Sequence, residues 1–228
     1  MNREQLHWDN IEANKESYFN VTPPPEFICD GPSHWPLFEA SKPRIVFLAK
    51  EAHSSFIPDQ PSDVNNRFSR NIARWAYVIF NAAMQAQENI MLEDDKLQPF
   101  WDKIALVEVK KINDDQVASS DTELKMYAER DQFYLKNQIK ILDPHVVVCC
   151  GTLDYFDIIF DFTYEVEKKV FSNNGVTCWL VNDMLVVDFY HPTIRKLGFS
   201  DEYLFNTLVD MFSSETVQTY YQEVLKKP

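Results

Sequence analysis

The sequence predicts an α/β fold in which helices flank a doubly wound, mainly parallel sheet. Three observations carry this. Short apolar-rich runs recur along the chain, RIVFLA at 44–49, KIALVEVKKI at 103–112 and HVVVCC after Pro144, the last of them continuous. Runs apolar at every position suit strands buried on both faces, as in parallel sheets between helix layers. Between them lie stretches with apolar residues at helical spacing, and strands alternating with helices build parallel sheets. The chain has 228 residues, 45% hydrophobic and 14% aromatic, enough for one sizeable domain with a packed core.

Taken in order, residues 1–42 are Pro-rich (PPPEF, GPSHWP) and read as an arm, irregular or with a short helix packed on the core. The remainder belongs to the same single domain over 1–228. Residues 44–49 form a buried strand. NIARWAYVIFNAAMQAQ, residues 71–87, forms a helix, and residues 103–112 form a second strand. Over 122–142, Leu124, Tyr127, Phe133, Leu135, Ile139 and Leu142 outline one helix or two, stopped by Asp143-Pro144. HVVVCCGT is a parallel strand ended by Gly151, and LDYFDIIF begins another helix. CWLVNDMLVVDFYHP holds at least one strand, or a hairpin turning at Asn182-Asp183. A last helix starts near Ser200-Asp201, with Ser200 as N-cap.

Composition limits the function. No run approaches 18 consecutive apolar residues, so no membrane-spanning helix is expected. MNREQLHWDN has no apolar signal-like core, and cytoplasm is the default expectation. Cys29, Cys149, Cys150 and Cys178 form no CxxC and no zinc spacing, and read as small core or surface residues. No metal or other cofactor is expected. A net charge of −13 argues against broad polyanion binding, which needs Lys and Arg to release counterions. Of 22 cations, Arg67, Arg70, Arg74, Lys110, Lys111, Arg195 and Lys196 lie beside the segments of interest, as a binding patch or as solvated surface.

Doubly wound sheets bind ligands beyond the C-terminal ends of their strands. Four segments should emerge there: AKEAHSS, EVKKIN, CGTLD and YHPTIRK. They carry Glu51 and His53, Glu108, and His191. A carboxylate facing an imidazole across a cleft orients water and stabilises an anionic leaving group. The alternative is structural: Glu51 and Glu108 as salt-bridged rim residues, Glu108 with Lys50 or Lys111, and His191 capping a strand.

The order of these pieces resembles the uracil-DNA glycosylase superfamily. Ala49-Lys50-Glu51-Ala52-His53 stands where that family has its first loop, with Ala49 replacing a Gly and Ala52 a Pro. Phe68 in RFSRNIARW matches the base-stacking aromatic. Glu108 in ALVEVKK stands at the base-reading Asn, with Lys111 matching a lysine of some branches. LKNQIKILDPHVVVCCGTLDYF fits the helix and Pro-initiated strand that follow, and His191-Pro192-Thr193 matches the last, His-Pro-Ser motif. The similarity covers residues 44 to the C-terminus. It implies a three-layer α/β/α sandwich around a central, mainly parallel four-stranded sheet. The cysteines do not match the pattern of the iron–sulfur branches, so no cluster is expected.

The resemblance implies hydrolysis of the N-glycosidic bond of a damaged or modified base in DNA, single-stranded or with the base flipped out. His191 would stabilise the departing base and Glu51 would orient water. Phe68, Glu108 and His53 would bind the base. Lys50, Lys111, Thr193, Arg195 and Lys196 would hold phosphate. An ionised Glu108 only accepts hydrogen bonds, which suits a base edge with adjacent donors. The alternatives are a non-catalytic relative that binds nucleotide or nucleic acid, and an interaction module with a degenerate site.

Overall fold

The structure is a computed structural model and describes residues 2–18, 26–51, 64, 66–84, 90–113, 119–161, 168–173, 175–195 and 198–226. Its strands are β1 (Glu26–Phe27), β2 (Gly31–Pro32), β3 (Ile45–Glu51), β4 (Ile104–Lys110), β5 (Ile112–Asn113), β6 (Val146–Cys150), β7 (Lys168–Asn173), β8 (Val176–Val181) and β9 (Met184–Phe189). Its α-helices are α1 (Arg3–Glu16), α2 (Trp35–Glu39), α3 (Arg67–Ala83), α4 (Gln98–Trp101), α5 (Asp121–Arg130), α6 (Gln132–Leu142), α7 (Leu153–Phe160), α8 (Asp201–Ser213) and α9 (Glu215–Val224).

Among the described residues the main sheet has seven strands in the order β2-β4-β3-β6-β9-β8-β7. The expected four-stranded sheet is therefore too small. The inner strands β4, β3, β6 and β9 are parallel to one another, while β2, β8 and β7 pair antiparallel with their neighbours. The inner strands are the apolar ones: every residue of β4 and β6 is buried, and β3 is buried through Ala49. β7, KKVFSN, is mostly exposed at the sheet's edge and has no apolar run to announce it. The hairpin β8–β9 turns at Asn182 and Asp183, with φ of 47° and 61°. Asn and Asp tolerate this left-handed backbone, which a two-residue hairpin turn needs.

Helices cover both faces. Alternate strand residues Ile45, Phe47 and Val148 pack with Ile72 and Trp75 of α3, Leu208 of α8 and Val217 of α9. The other set, Val46, Leu48 and Val147, packs with Leu124 of α5, Leu135 and Ile139 of α6 and Phe156 of α7. Local chemistry sets the helix ends. Asn66, Ser120 and Ser200 cap α3, α5 and α8 by accepting backbone N–H bonds from Ser69, Glu123 and Tyr203. α3 starts four residues before the expected helix, while residues 85–87 lie outside the described set. The 122–142 segment is two helices, and α6 ends on Asp143 in the left-handed region (φ 47°) before Pro144.

The N-terminal arm is more ordered than a short helix. α1 runs 14 residues, and Asn10 Nδ2 donates to the Tyr134 carbonyl of α6 at 3.0 Å. It buries His7, Ile11 and Asn14. Gly31 (φ 141°) lets β2 pass under this helix, because a Cβ there would lie 2.4 Å from His7 Nε2.

Candidate functional site

Parallel register brings the C-terminal ends of β3, β4, β6 and β9 to one edge. Ala49 lies beside Glu108 and Glu51 beside Lys110, while Cys150 lies beside Phe189. Gly151, in the left-handed region at φ 68°, turns the chain away after β6 and donates its N–H to the Phe189 carbonyl at 2.7 Å. His191 follows β9 by two residues.

The His191 ring is oriented by its own turn. The Thr193 backbone N–H donates to His191 Nδ1 at 3.3 Å, and Thr193 Oγ1 lies 3.0 Å from the same atom. A backbone N–H can only donate, so Nδ1 accepts and the neutral ring carries its proton on Nε2. The Phe68 ring stands 6.0 Å away, centroid to centroid, tilted by 52°. Neighbouring elements clamp the turn. Asn71 Nδ2 donates to the Pro192 carbonyl at 2.8 Å and to Asp201 Oδ1 at 3.0 Å. Arg67 donates to the same Asp201 oxygen through Nε at 2.9 Å and Nη2 at 2.7 Å. Burial would raise the Asp201 carboxyl, but its bonds to Arg67 and Asn71 hold it below the usual Asp value. The first turns of α3 and α8 thus grip the turn that follows His191.

Glu51 is engaged. Its two oxygens accept the Ser119 N–H at 2.7 Å and the Ser119 hydroxyl at 2.6 Å. Buried Lys110 lies 3.8 Å from Glu51 Oε2 and donates to Ser119 Oγ at 2.7 Å and Glu123 Oε1 at 2.8 Å. Glu51 therefore ties the end of β3 to the residues entering α5.

Glu108 differs. It is 4% exposed, and its Oε2 has no hydrogen-bond partner among the described residues. Burial, with added repulsion from Asp30 and Glu51, drives its carboxyl well above the ordinary range, against the pull of Lys111. Burial thus shifts this group toward its neutral form, in which a carboxyl presents one donor and one acceptor rather than acceptors alone.

Lys111, expected at a phosphate, is instead buried behind the strand, with Nζ 2.5 Å from Asp30 Oδ2. Asp30 also accepts the Glu108 N–H at 2.6 Å and Gln138 Nε2 at 2.6 Å. Lys50 pairs with Asp121 at 3.2 Å. Lys50 and Lys111 thus have partners other than Glu108. Thr193 is half-buried and Arg195 exposed, while His53 and Lys196 lie outside the described residues. Phe68 and His191 come together.

Sequence reasoning missed Asp30, Arg67 as a clamp, Asn71, Ser119 and Asp201. Asn71 had a signal, three positions after Phe68 on one helical face. Asp30 had none, sitting in a Pro- and Gly-containing stretch without periodicity. Among the described residues no three His, Cys, Asp or Glu side chains form a metal-binding group, and no helix is long and apolar enough to cross a membrane. No family model matches the chain, and comparison with the curated proteins finds no match.

Proposed function

We propose that this edge binds a modified nucleobase and hydrolyses the N-glycosidic bond that joins it to its sugar. The observation that carries the reading is the His191 ring, which accepts from Thr193 at Nδ1 and so holds a proton on Nε2 beside Phe68. That proton donates to a base carbonyl. As the bond from C1′ to the base nitrogen breaks, its electron pair leaves on the base, and the donor stabilises the developing anion. Water adds to C1′, and the proton it loses balances the departing base. Phe68 offers a stacking face worth roughly 1–3 kcal/mol per base.

In the neutral form toward which burial shifts it, Glu108 offers one donor and one acceptor, the pair an amide side chain would present. This suits a carbonyl beside a ring N–H better than the adjacent donors that an ionised Glu108 would select. The test is release of free base from a panel of modified substrates, followed by chromatography. His191→Ala should lower release about 10²–10³-fold, the usual cost of losing one such donor. No release from any substrate would sink the reading.

One observation favours a second reading, a binder without catalysis: both Glu51 oxygens are occupied by Ser119. Base binding that weakens in Phe68→Ala, with no bond cleavage in the parent protein, would select it.

A further inference from the structure

We infer that this site takes a free nucleoside rather than a base held in a nucleic-acid strand, an inference that rests on the glycosylase reading above. Strand binding depends on cations that replace the counterions of successive phosphates. The cations that flank the site in sequence already have acidic partners. Lys50 pairs with Asp121 at 3.2 Å and Arg67 with Asp201 at 2.7 Å. Arg70 and Arg74 share Asp94, at 3.5 and 2.7 Å. Lys110 pairs with Glu123 at 2.8 Å, and Lys111 with Asp30 at 2.5 Å. Lys110 and Lys111 are also buried, so no phosphate reaches them without opening the fold.

In sequence, the segments that follow β3 and β5, residues 52–63 and 114–118, carry acid and no Lys or Arg: they include Asp59, Asp63, Asp114 and Asp115. Of the cations singled out in the sequence, Arg195 is exposed among the described residues and could meet a phosphate, with Lys196 next to it in sequence. Two cations within a chain of net charge −13 do not offset the repulsion of a polyanion. The groups that would read a base, His191, Phe68 and Glu108, need no phosphate to act. An uncharged nucleoside meets them without crossing that field.

The experiment compares base release from a modified nucleoside with release from a single-stranded oligonucleotide carrying the same base, at about 50 and 200 mM salt. The nucleoside should be turned over at least about tenfold more efficiently, with less than about twofold change between the two salts. A strand held by six or more phosphate contacts would instead lose roughly 10³-fold in affinity over that range. In a companion variant, Asp94→Asn with Asp121→Asn unmasks Arg70, Arg74 and Lys50. It should strengthen oligonucleotide binding, read by fluorescence anisotropy, while nucleoside turnover stays unchanged. Preferred turnover of the oligonucleotide, falling steeply with salt, overturns the inference and leaves the glycosylase reading standing. Release from neither substrate overturns both.

Discussion

Two buried carboxyl groups lie within reach of one stretch of β4, and they behave in opposite ways. Asp30 is fully buried and meets three donors: the Glu108 N–H, Lys111 Nζ and Gln138 Nε2. Glu108 is nearly as buried, yet leaves Oε2 without a partner among the described residues. The first carboxylate has its charge matched and its lone pairs filled, so it joins β4 to α6 and the N-terminal arm. The second is shifted toward its neutral form by burial and retains bonding capacity at Oε2. A satisfied buried charge is architecture, whereas a buried acid with an unpaired oxygen at the strand ends is a candidate binding group.

Removing the satisfied group breaks the comparison most severely. Asp30→Ala strands the Lys111 ammonium in the interior and should cost about 3–5 kcal/mol of stability, measured by urea unfolding. A loss below about 1 kcal/mol would mean that Asp30 is not the anchor its three bonds imply.

Glu108→Gln sharpens the contrast with a smaller effect. Glutamine copies the donor and acceptor of a neutral acid, so stability below the ordinary Glu value should change by less than about 1 kcal/mol, and the Gln variant should become the more stable protein as pH rises. The pH dependence should change more clearly. The folded pKa of Glu108 is raised by burial, then by Asp30 and Glu51, and is opposed by Lys111. Its stabilising contribution is therefore full below the ordinary Glu value and is lost as pH rises through the folded value. Thermal unfolding of the Gln variant should fall less than that of the parent between about pH 5 and about pH 8. Parallel curves would show that Glu108 is ionised in the fold.

Asp188, on β9, gives the mildest case. Burial, with Asp154 nearby, pushes its carboxyl up to about 6, and it remains half-exposed. The same sign applies: stability is greatest below the ordinary Asp value and declines as pH rises through about 6. Asp188→Asn should raise Tm slightly at about pH 7.5, with the gain vanishing near about pH 4. An equal gain at both pH values would assign the effect to packing.

The legible parts of the fold are those whose burial is uniform. β3, β4 and β6 announce themselves because both faces are covered, and Asn182-Asp183 marks its hairpin by turn chemistry. β7 was illegible because an edge strand with exposed lysines has no apolar run. α1 was illegible because REQLHWDNIEANKE is polar nearly all round, and it is held by buried His7, Ile11 and Asn14. At the site, Phe68 and His191 could be read from local motifs. The raised pKa of Glu108 and the pairing of Lys111 could not, since the first follows from burial and then Asp30 and the second from Asp30, 78 and 81 positions away.

The parallel register of β3 carries a further consequence for the growing chain. The Arg44 N–H that opens this strand donates to His145 Nδ1, 101 positions later. At roughly 5–20 residues per second of synthesis, that partner follows Arg44 by about 5–20 s. During that interval IVFLAKE waits with an unpaired edge where β6 will dock. The strand that anchors the sheet is therefore also a segment of nascent chain that needs protection from aggregation.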